Sequence, residues 1–371
     1  MPVDEPVLPD YQRNCNADVL PSVCDGLSVP GAFDILGLGE SAQVAVIVVD
    51  GLGAEQLSAH GDLAPTLRDH HRRALTTVLP STTAAALTSI GTGVTPLEHG
   101  LVGTSFSLAG DGSDILKPLN WGDEPSPNLV APVPTWWSRA AAARVRVSAV
   151  SARAYRRGGL THAALGGAEY LPADTAGESS AAVSAQLDSG ARTLVYGYWS
   201  GLDRVAHVHG AGSPEYCDEL QHVDLYVRTI ADRLSPGQRL IVTSDHGVLN
   251  TTEPVDVDSG EFRTDVHRLV GEPRMRMLHV RPGAQADVVA RWRELLADGA
   301  LVRTREQVLD EGWFGPRGAH HDHRLGDVIV AALGELRLTA PGYDRVISGL
   351  PGQHGSVSSA EMLVPLVVIE G

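Results

Sequence analysis

The stretch VAVIVVDGLG (residues 44–53) decides the fold of this chain. Its first six residues are small or β-branched and apolar, which is typical of a strand buried on both faces of a parallel sheet. Asp50 ends the run, and the glycines after it let the chain turn tightly. Ligands of open parallel sheets collect beyond the carboxyl ends of the strands, so Asp50 lies where a functional carboxylate is expected.

The same pattern recurs along the whole chain. Short β-branched runs alternate with alanine-rich, helix-like stretches, which predicts an α/β fold with a mostly parallel central sheet and helices on both faces. The predicted strands are residues 44–50, 145–150, 193–199, 239–245, 327–332 and 363–369. We expect residues 1–371 to form one catalytic domain, within which residues 256–318, with their own strand and helix patterns, form a small inserted cap.

Composition excludes several classes of protein. A chain of 371 residues with 43% hydrophobic residues can bury a large core, and its net charge of −16 argues against binding to polymeric nucleic acid. The three cysteines contain no C-x-x-C pair, which argues against a disulfide framework or a thiolate zinc site. The first residues lack a secretory signal, and no apolar run reaches the roughly 18 residues of a membrane span. These features predict a soluble, cytoplasmic protein.

Polar residues with the properties of metal ligands follow the predicted strands. Asp203 and His207 are four residues apart, so on a helix they share one face and can bind one cation, although surface ion pairs have the same spacing. Asp245 and His246 directly follow the strand RLIVT, where an isolated buried charge would be costly. His354 lies between two glycines in a loop and is uninformative alone.

Taken together with Asp50, these residues supply three carboxylates and three imidazoles, enough for two metal ions. Oxygen and nitrogen ligands without thiolates suit zinc or manganese. The helix start in LPSTTAAALTSIGTG (residues 79–93) adds hydroxyl groups. Such hydroxyls are usually helix caps, but a nearby metal would activate Thr83 as a nucleophile.

Five separated motifs in a fixed order resemble one known family. They are VDG (49–51), LPSTTAAALTSIGTGVTPLEHG (79–100), Asp203 with His207 and Gly210, SDHG (244–247) and GQHG (352–355). This set is similar to the nucleotide pyrophosphatase/phosphodiesterase family of the alkaline phosphatase superfamily, from about residue 42 to residue 371. The resemblance implies an alkaline phosphatase-like fold, two zinc ions and a threonine nucleophile, which aligns with Thr83 rather than Thr82.

The resemblance also implies a role for each matching residue. Asp203, His207 and His354 would hold one zinc, and Asp50, Asp245, His246 and the Thr83 oxygen would hold the other. The family's asparagine that donates to a phosphoryl oxygen falls near Thr104 or Ser105, and Thr104 is the favoured match. The implied reaction is hydrolysis of phosphate diesters or phosphoanhydrides through a phosphothreonine, on a small phosphorylated substrate such as a nucleotide. Residues 84–88 depart from the family's aromatic pattern, which leaves nucleotide specificity open.

Other functions on the same scaffold remain open at this stage. They are a phosphomonoesterase, a phosphonate hydrolase, a phosphomutase and, least favoured, a non-catalytic metal-binding protein. The cluster of histidines and Asp322 at residues 320–323 is better explained as a polar loop than as an extra metal site. Arg153, Arg156 and Arg157 fit either phosphate steering or a solvated loop, and Trp121, in a long loop at 105–136, fits base stacking and loop packing equally.

Overall fold

The computed structural model of the chain describes residues 5–190 and 192–371. The strands are β1 (Gln43–Val49), β2 (His71–Thr76), β3 (Phe106–Ser107), β4 (Ile115–Leu116), β5 (Arg146–Ser151), β6 (Glu169–Pro172), β7 (Thr193–Trp199), β8 (Gln238–Thr243), β9 (Leu249–Asn250), β10 (Glu253–Asp256), β11 (Val266–Glu272), β12 (Met275–Val280), β13 (Ala300–Thr304), β14 (Val328–Ala332), β15 (Leu336–Thr339), β16 (Gly352–Gln353) and β17 (Leu363–Glu370).

The α-helices lie between these strands. They are α1 (Val19–Gly26), α2 (Ala54–His60), α3 (Pro65–Asp69), α4 (Thr83–Thr92), α5 (Pro96–His99), α6 (Pro127–Val130), α7 (Trp136–Ala142), α8 (Gly159–Leu165), α9 (Ala176–Leu187), α10 (Gly201–His209), α11 (Pro214–Ala231), α12 (Gln285–Leu296), α13 (Arg305–Asp310), α14 (Pro341–Asp344) and α15 (Ser359–Met362). This alternation of strands and helices confirms the α/β class.

The central sheet has seven strands in the order β2-β17-β8-β1-β7-β5-β6. The five strands from β8 to β6 run parallel, while β17 is antiparallel to both of its neighbours. Side chains of β1 alternate between two cores: Val46 packs with residues of α1 and α7, and Ile47 packs with residues of α9 and α11. Helices therefore cover both faces, as the apolar run of β1 predicts.

A second sheet of four antiparallel strands has the order β11-β12-β14-β13. The strand predicted at 327–332 forms as β14, but it belongs to this sheet and not to the central one. A fully buried apolar run has the same pattern in either sheet, so its sequence could not identify its partners. Residues 256–318 supply the other three strands and α12, whose Trp292 packs in the same core.

The segment at 105–136 packs against the body of the protein through Trp121. This side chain is buried, and its indole N–H donates to the Pro125 carbonyl at 2.8 Å. A Cβ atom at Gly159 would lie 2.3 Å from the Trp121 ring. Trp121 is therefore packed between this loop and the start of α8.

No helix in residues 5–190 and 192–371 is long and apolar enough to cross a membrane. The absence of a secretory signal was predicted from the first residues of the chain, and residues 1–4 lie outside the described residues.

Candidate active site

The ends of β1 and β7 bring two carboxylates together. The Asp50 amide donates to the Trp199 carbonyl at 2.9 Å, and the Asp203 amide donates to the Asp50 carbonyl at 3.1 Å. Gly51 lies between them with φ +75°, and a Cβ atom there would be 2.8 Å from Cβ of Asp203. Only glycine permits both this backbone conformation and this close approach.

One group of candidate ligands surrounds His246, which follows β8 next to β1 in the sheet. Its Nε2 lies 3.3 Å from Oδ1 of Asp50 and 3.6 Å from Oδ2 of Asp245. Oγ1 of Thr83, the first residue of α4, is 3.3 Å from the same nitrogen. The residue that caps α4 is Thr82, whose hydroxyl makes no capping hydrogen bond. Helix capping therefore does not explain the two threonine hydroxyls at the start of α4.

A second group lies beside the first. Helix α10 holds Asp203 and His207 one turn apart, with Oδ2 and Nε2 separated by 3.4 Å. Nε2 of His354, from the loop before α15, lies 3.9 Å from Oδ1 of Asp203 and 3.2 Å from Nε2 of His207. The rings of His246 and His354 stack at 3.6 Å, which joins the two groups. The structure thus brings together the seven residues predicted as metal ligands.

The orientation of the three imidazoles suits metal binding. Each Nδ1 faces a backbone carbonyl. Nδ1 of His207 lies 2.7 Å from the carbonyl oxygen of Gly352, and Nδ1 of His354 lies 2.9 Å from that of Ser81. Nδ1 of His246 lies 3.0 Å from the carbonyl oxygen of the next residue in the chain. A carbonyl only accepts hydrogen bonds, so Nδ1 donates and Nε2 is the nitrogen left for a metal ion. Each ring therefore offers a metal-binding nitrogen toward the carboxylates.

Hydrogen bonds satisfy the three carboxylates only in part. One buried oxygen on each has no hydrogen-bond partner among the described residues: Oδ1 of Asp50, Oδ1 of Asp203 and Oδ2 of Asp245. Burial, together with the charges of Asp245 and Asp203, raises the pKa of Asp50 well above its usual value. Burial of three close carboxylates is costly without cations, so these carboxylates and the neighbouring imidazoles fit divalent metal ions.

Tyr198 is a functional candidate that the motifs did not reveal. Its hydroxyl donates to Oδ2 of Asp50, and its strand β7 pairs directly with β1. The alternation in TLVYGYW is the one sequence feature that could have indicated it, because it predicts tyrosines on one face of that strand. A hydrogen bond to a metal-binding carboxylate orients it for its metal.

Thr104 makes a contact that the sequence could not indicate. Its amide and its hydroxyl donate to Oε2 of Glu272, at 3.1 Å and 2.6 Å. Burial raises the pKa of Glu272 to about 7. Thr104 is therefore oriented by a carboxyl from β11, and the hydroxyl predicted to meet a phosphoryl oxygen is hydrogen-bonded to that carboxyl in this structure.

A cavity of about 370 Å³ opens onto Thr83, Asp50 and Asp203. Its walls are largely aromatic and aliphatic, formed by Tyr155, Tyr170, Tyr196, Tyr198, Leu87, Leu119, Leu160 and Leu165. The Tyr196 and Tyr198 rings stack on each other, with their centroids 6.4 Å apart. Arg204 is the one cationic residue in the lining that the structure describes. The cavity thus combines the polar centre with room for an apolar substituent.

The histidine rings of the cluster at 320–323 lie further from one another than those of the candidate metal ligands do. His321 is buried, but the ring centroids of His320 and His323 are 6.4 Å and 6.1 Å from its own. Within the described part of the chain, the groups whose ligand atoms converge are Asp203 with His246 and His354, and Asp50 with Asp245 and His246. The cluster at 320–323 does not converge on a common point in this way.

Comparison with known proteins gives a consistent picture. The family model of type I phosphodiesterases/nucleotide pyrophosphatases matches residues 44–356. No curated protein matches the chain significantly. Similar solved structures include human ectonucleotide pyrophosphatase/phosphodiesterase 5, with 16% identity, a TM-score of 0.65 and coverage of 88% of this chain and 87% of that one.

Two other similar structures contain ligands. Phosphonoacetate hydrolase from Sinorhizobium meliloti, in complex with phosphonoacetate, has 20% identity, a TM-score of 0.68 and coverage of 88% of this chain and 89% of that one. An inactive variant of the murine phosphodiesterase 5, in complex with AMP, has 17% identity, a TM-score of 0.61 and 87% coverage of both chains. At these identities the likeness establishes the shared fold.

Proposed function

This chain belongs to the type I phosphodiesterase/nucleotide pyrophosphatase family, and we propose that it is a two-metal enzyme that hydrolyses phosphate diesters or phosphoanhydrides through a phosphothreonine on Thr83. The observation that carries the proposal is the position of the Thr83 hydroxyl. Its oxygen is 3.3 Å from Nε2 of His246, beside two buried carboxylates that lack cationic partners. A metal ion bound by these neighbouring ligands would activate the Thr83 hydroxyl as a nucleophile.

Asp50, Asp245, His246 and Thr83 would hold one metal ion. Asp203, His207 and His354 would hold the other, and zinc suits these ligands best, with manganese as the alternative. When bound, the ions would lower the pKa of the Thr83 hydroxyl and offset negative charge on the phosphoryl and leaving-group oxygens. The start of α4 adds the partial positive charge of a helix N-terminus next to the same oxygen.

Hydrolysis then proceeds in two steps on Thr83. In the first, Oγ1 loses its proton to solvent and bonds to phosphorus, while the bond to the leaving oxygen breaks and that oxygen takes a proton from solvent. In the second, a water oxygen bonds to phosphorus and loses its protons to solvent and to Thr83, whose bond to phosphorus breaks. The cavity walls hold the remaining substituent and exclude water from its surface.

The cavity supports a diester over a monoester. Its tyrosine and leucine walls offer apolar contact to a substituent on phosphorus, and Arg204 alone among the described lining residues offers positive charge. A monoester carries one more negative charge at phosphorus and would benefit from several cationic side chains. A small phosphonate such as phosphonoacetate would leave most of a 370 Å³ cavity unfilled.

Hydrolysis of two chromogenic esters tests the proposal. Bis-p-nitrophenyl phosphate and p-nitrophenyl phosphate are compared with the zinc-loaded protein, with Thr83→Ala, and after treatment with a chelator. We expect preference for the diester and loss of activity in both controls. Preference for the monoester would contradict the substrate class, and an active Thr83→Ala variant would contradict the nucleophile.

A further inference from the structure

A second cavity of about 470 Å³ adjoins the catalytic cavity. The two share Gly158, Thr161, Leu165 and Tyr170 in their walls. Two of the shared residues, Thr161 and Leu165, belong to α8 and Gly158 directly precedes it, so the two cavities lie next to each other along α8. We call the second cavity the outer groove.

The outer groove is lined by two arginines without partners. Arg156 and Arg157 are exposed, and neither guanidinium makes a hydrogen bond or an ion pair with another described residue. The neighbouring Arg153 differs, because its guanidinium pairs with Asp174 at 3.4 Å. The chain has a net charge of −16, yet these two adjacent unpaired guanidinium groups give the surface beside the catalytic cavity a local positive charge.

The frame of the outer groove is held by specific contacts. Nε2 of His162 donates to the amide oxygen of Asn128 at 3.2 Å, which ties α8 to the segment at α6. The Thr161 hydroxyl donates to the Tyr155 carbonyl at 2.7 Å. Asp123 is the one acidic residue in the described lining. Two arginines against one aspartate leave this groove with net positive charge.

We propose that the outer groove binds a second phosphate group of the substrate, at the far end of the substituent that occupies the tyrosine-lined cavity. This inference rests on the proposed function, because it places the reacting phosphoryl group at Thr83. Guanidinium groups bind phosphate through paired, charge-assisted hydrogen bonds, and Arg156 and Arg157 have all of these donors free. The preferred substrates are then diesters that carry an additional phosphate remote from the scissile bond.

Two matched nucleotide esters test this assignment. Thymidine 5′-(p-nitrophenyl phosphate) and its 3′-phosphorylated counterpart release the same chromophore and differ only in the remote phosphate. We expect kcat/KM to favour the 3′-phosphorylated ester by about tenfold in the zinc-loaded protein, as two partly exposed charge-assisted contacts would allow. The ratio should fall to about one in the double variant Arg156→Gln/Arg157→Gln.

The control is the double variant Arg144→Gln/Arg146→Gln. It removes two positive charges from exposed arginines outside both cavities, so it reproduces the change in net charge alone. Its substrate ratio should match that of the unmodified protein. An equal fall in both double variants would show a general electrostatic effect and overturn the assignment.

Calorimetric titration with thymidine 3′,5′-bisphosphate and thymidine 5′-phosphate separates this inference from the proposed function. If neither ester is hydrolysed but the bisphosphate binds more tightly in a manner that needs Arg156 and Arg157, the proposed catalysis fails and the outer groove stands. If both esters are hydrolysed at equal rates, catalysis stands and the outer groove is overturned. If neither ester reacts and both nucleotides bind equally, both proposals fail.

Discussion

The imidazoles of His207 and His354 face each other through their Nε2 atoms, which lie 3.2 Å apart. The opposite nitrogen of each ring donates to a backbone carbonyl, so the two facing Nε2 atoms are the ones left to bind a metal ion. Two neutral rings would repel each other at this contact, and burial beside other imidazoles lowers the pKa of His354 well below its usual value, which disfavours a proton on that ring. A metal ion bound by both rings would relieve this repulsion.

Substitution of one of these rings should therefore remove one metal ion. After loading with zinc and gel filtration, His354→Ala is expected to retain about one zinc per chain where the unmodified protein retains two, by elemental analysis. His209→Ala is the matched control, because His209 is exposed at the end of α10 and lies 3.6 Å from Glu215. Equal zinc content in both variants would contradict the assignment of His354.

Two adjacent threonines at the start of α4 should differ sharply in function. Thr82 is buried and its hydroxyl has no partner, whereas the Thr83 hydroxyl lies beside His246. Replacement by valine keeps the shape and removes the hydroxyl, so Thr83→Val should lower kcat at least about 1,000-fold, as loss of a nucleophile does. Thr82→Val should retain the rate and the stability, since it breaks no hydrogen bond. Loss of activity in Thr82→Val instead would reassign the nucleophile.

Replacement of Gly51 by alanine should lower the free energy of unfolding. Gly51→Ala combines a left-handed backbone with a contact of 2.8 Å to Asp203, while Gly37→Ala has a similar φ of +68° and open space. The backbone cost of about 1 kcal/mol applies to both variants, and the overlap adds about 1–3 kcal/mol to Gly51→Ala alone. Urea unfolding of the two proteins measures the difference, and equal stabilities would show that Asp203 moves aside freely.

Stability should also depend on pH through Asp18, which is not one of the candidate metal ligands. Burial raises the pKa of Asp18 from 3.8 to about 6. The folded state therefore binds more protons than the unfolded state between these values, and the free energy of unfolding falls as pH rises through about 6. Asp18→Asn should remove this dependence and Asp25→Asn, at an exposed position, should keep it. Unfolding in urea from pH 4 to 7 measures both, and the same slope in all three proteins would contradict the raised pKa.

Local sequence patterns predicted much of the fold. The unbroken run at 44–49 identified β1, because a strand buried on both faces needs apolar side chains at every position. The residues at 327–332 form a strand as predicted, but they lie in the second sheet. Pairing depends on contacts between distant parts of the chain, here Val328–Ala332 with β12 and β13, and no local pattern encodes them.

The residues of the candidate site also differ in how well local sequence patterns could predict them. Asp50, Asp203 and His246 follow strands or begin helices, so their positions are visible as polar residues that interrupt apolar patterns. Glu272 is not visible in this way, because its partner Thr104 lies 168 residues away and neither belongs to a motif. The residues that converge at the candidate site could be predicted from their places in the sequence pattern, whereas a supporting partner such as Glu272 depends on tertiary packing.

Tyr198 provides the last test, because it supports a candidate metal ligand without being one. Its hydroxyl donates to Oδ2 of Asp50, while the hydroxyl of Tyr196, which stacks on it, makes no hydrogen bond with another described residue. Tyr198→Phe frees Asp50 to rotate and leaves one more oxygen unpaired, so zinc affinity should fall about 10–100-fold. Tyr196→Phe keeps the ring wall and the Asp50 contact and should bind zinc as the unmodified protein does. Competition with a chromogenic chelator measures both affinities. Equal zinc affinity in the two variants would mean that the sheet alone, through the backbone contacts of Asp50 with Trp199 and Asp203, suffices to orient the carboxylate.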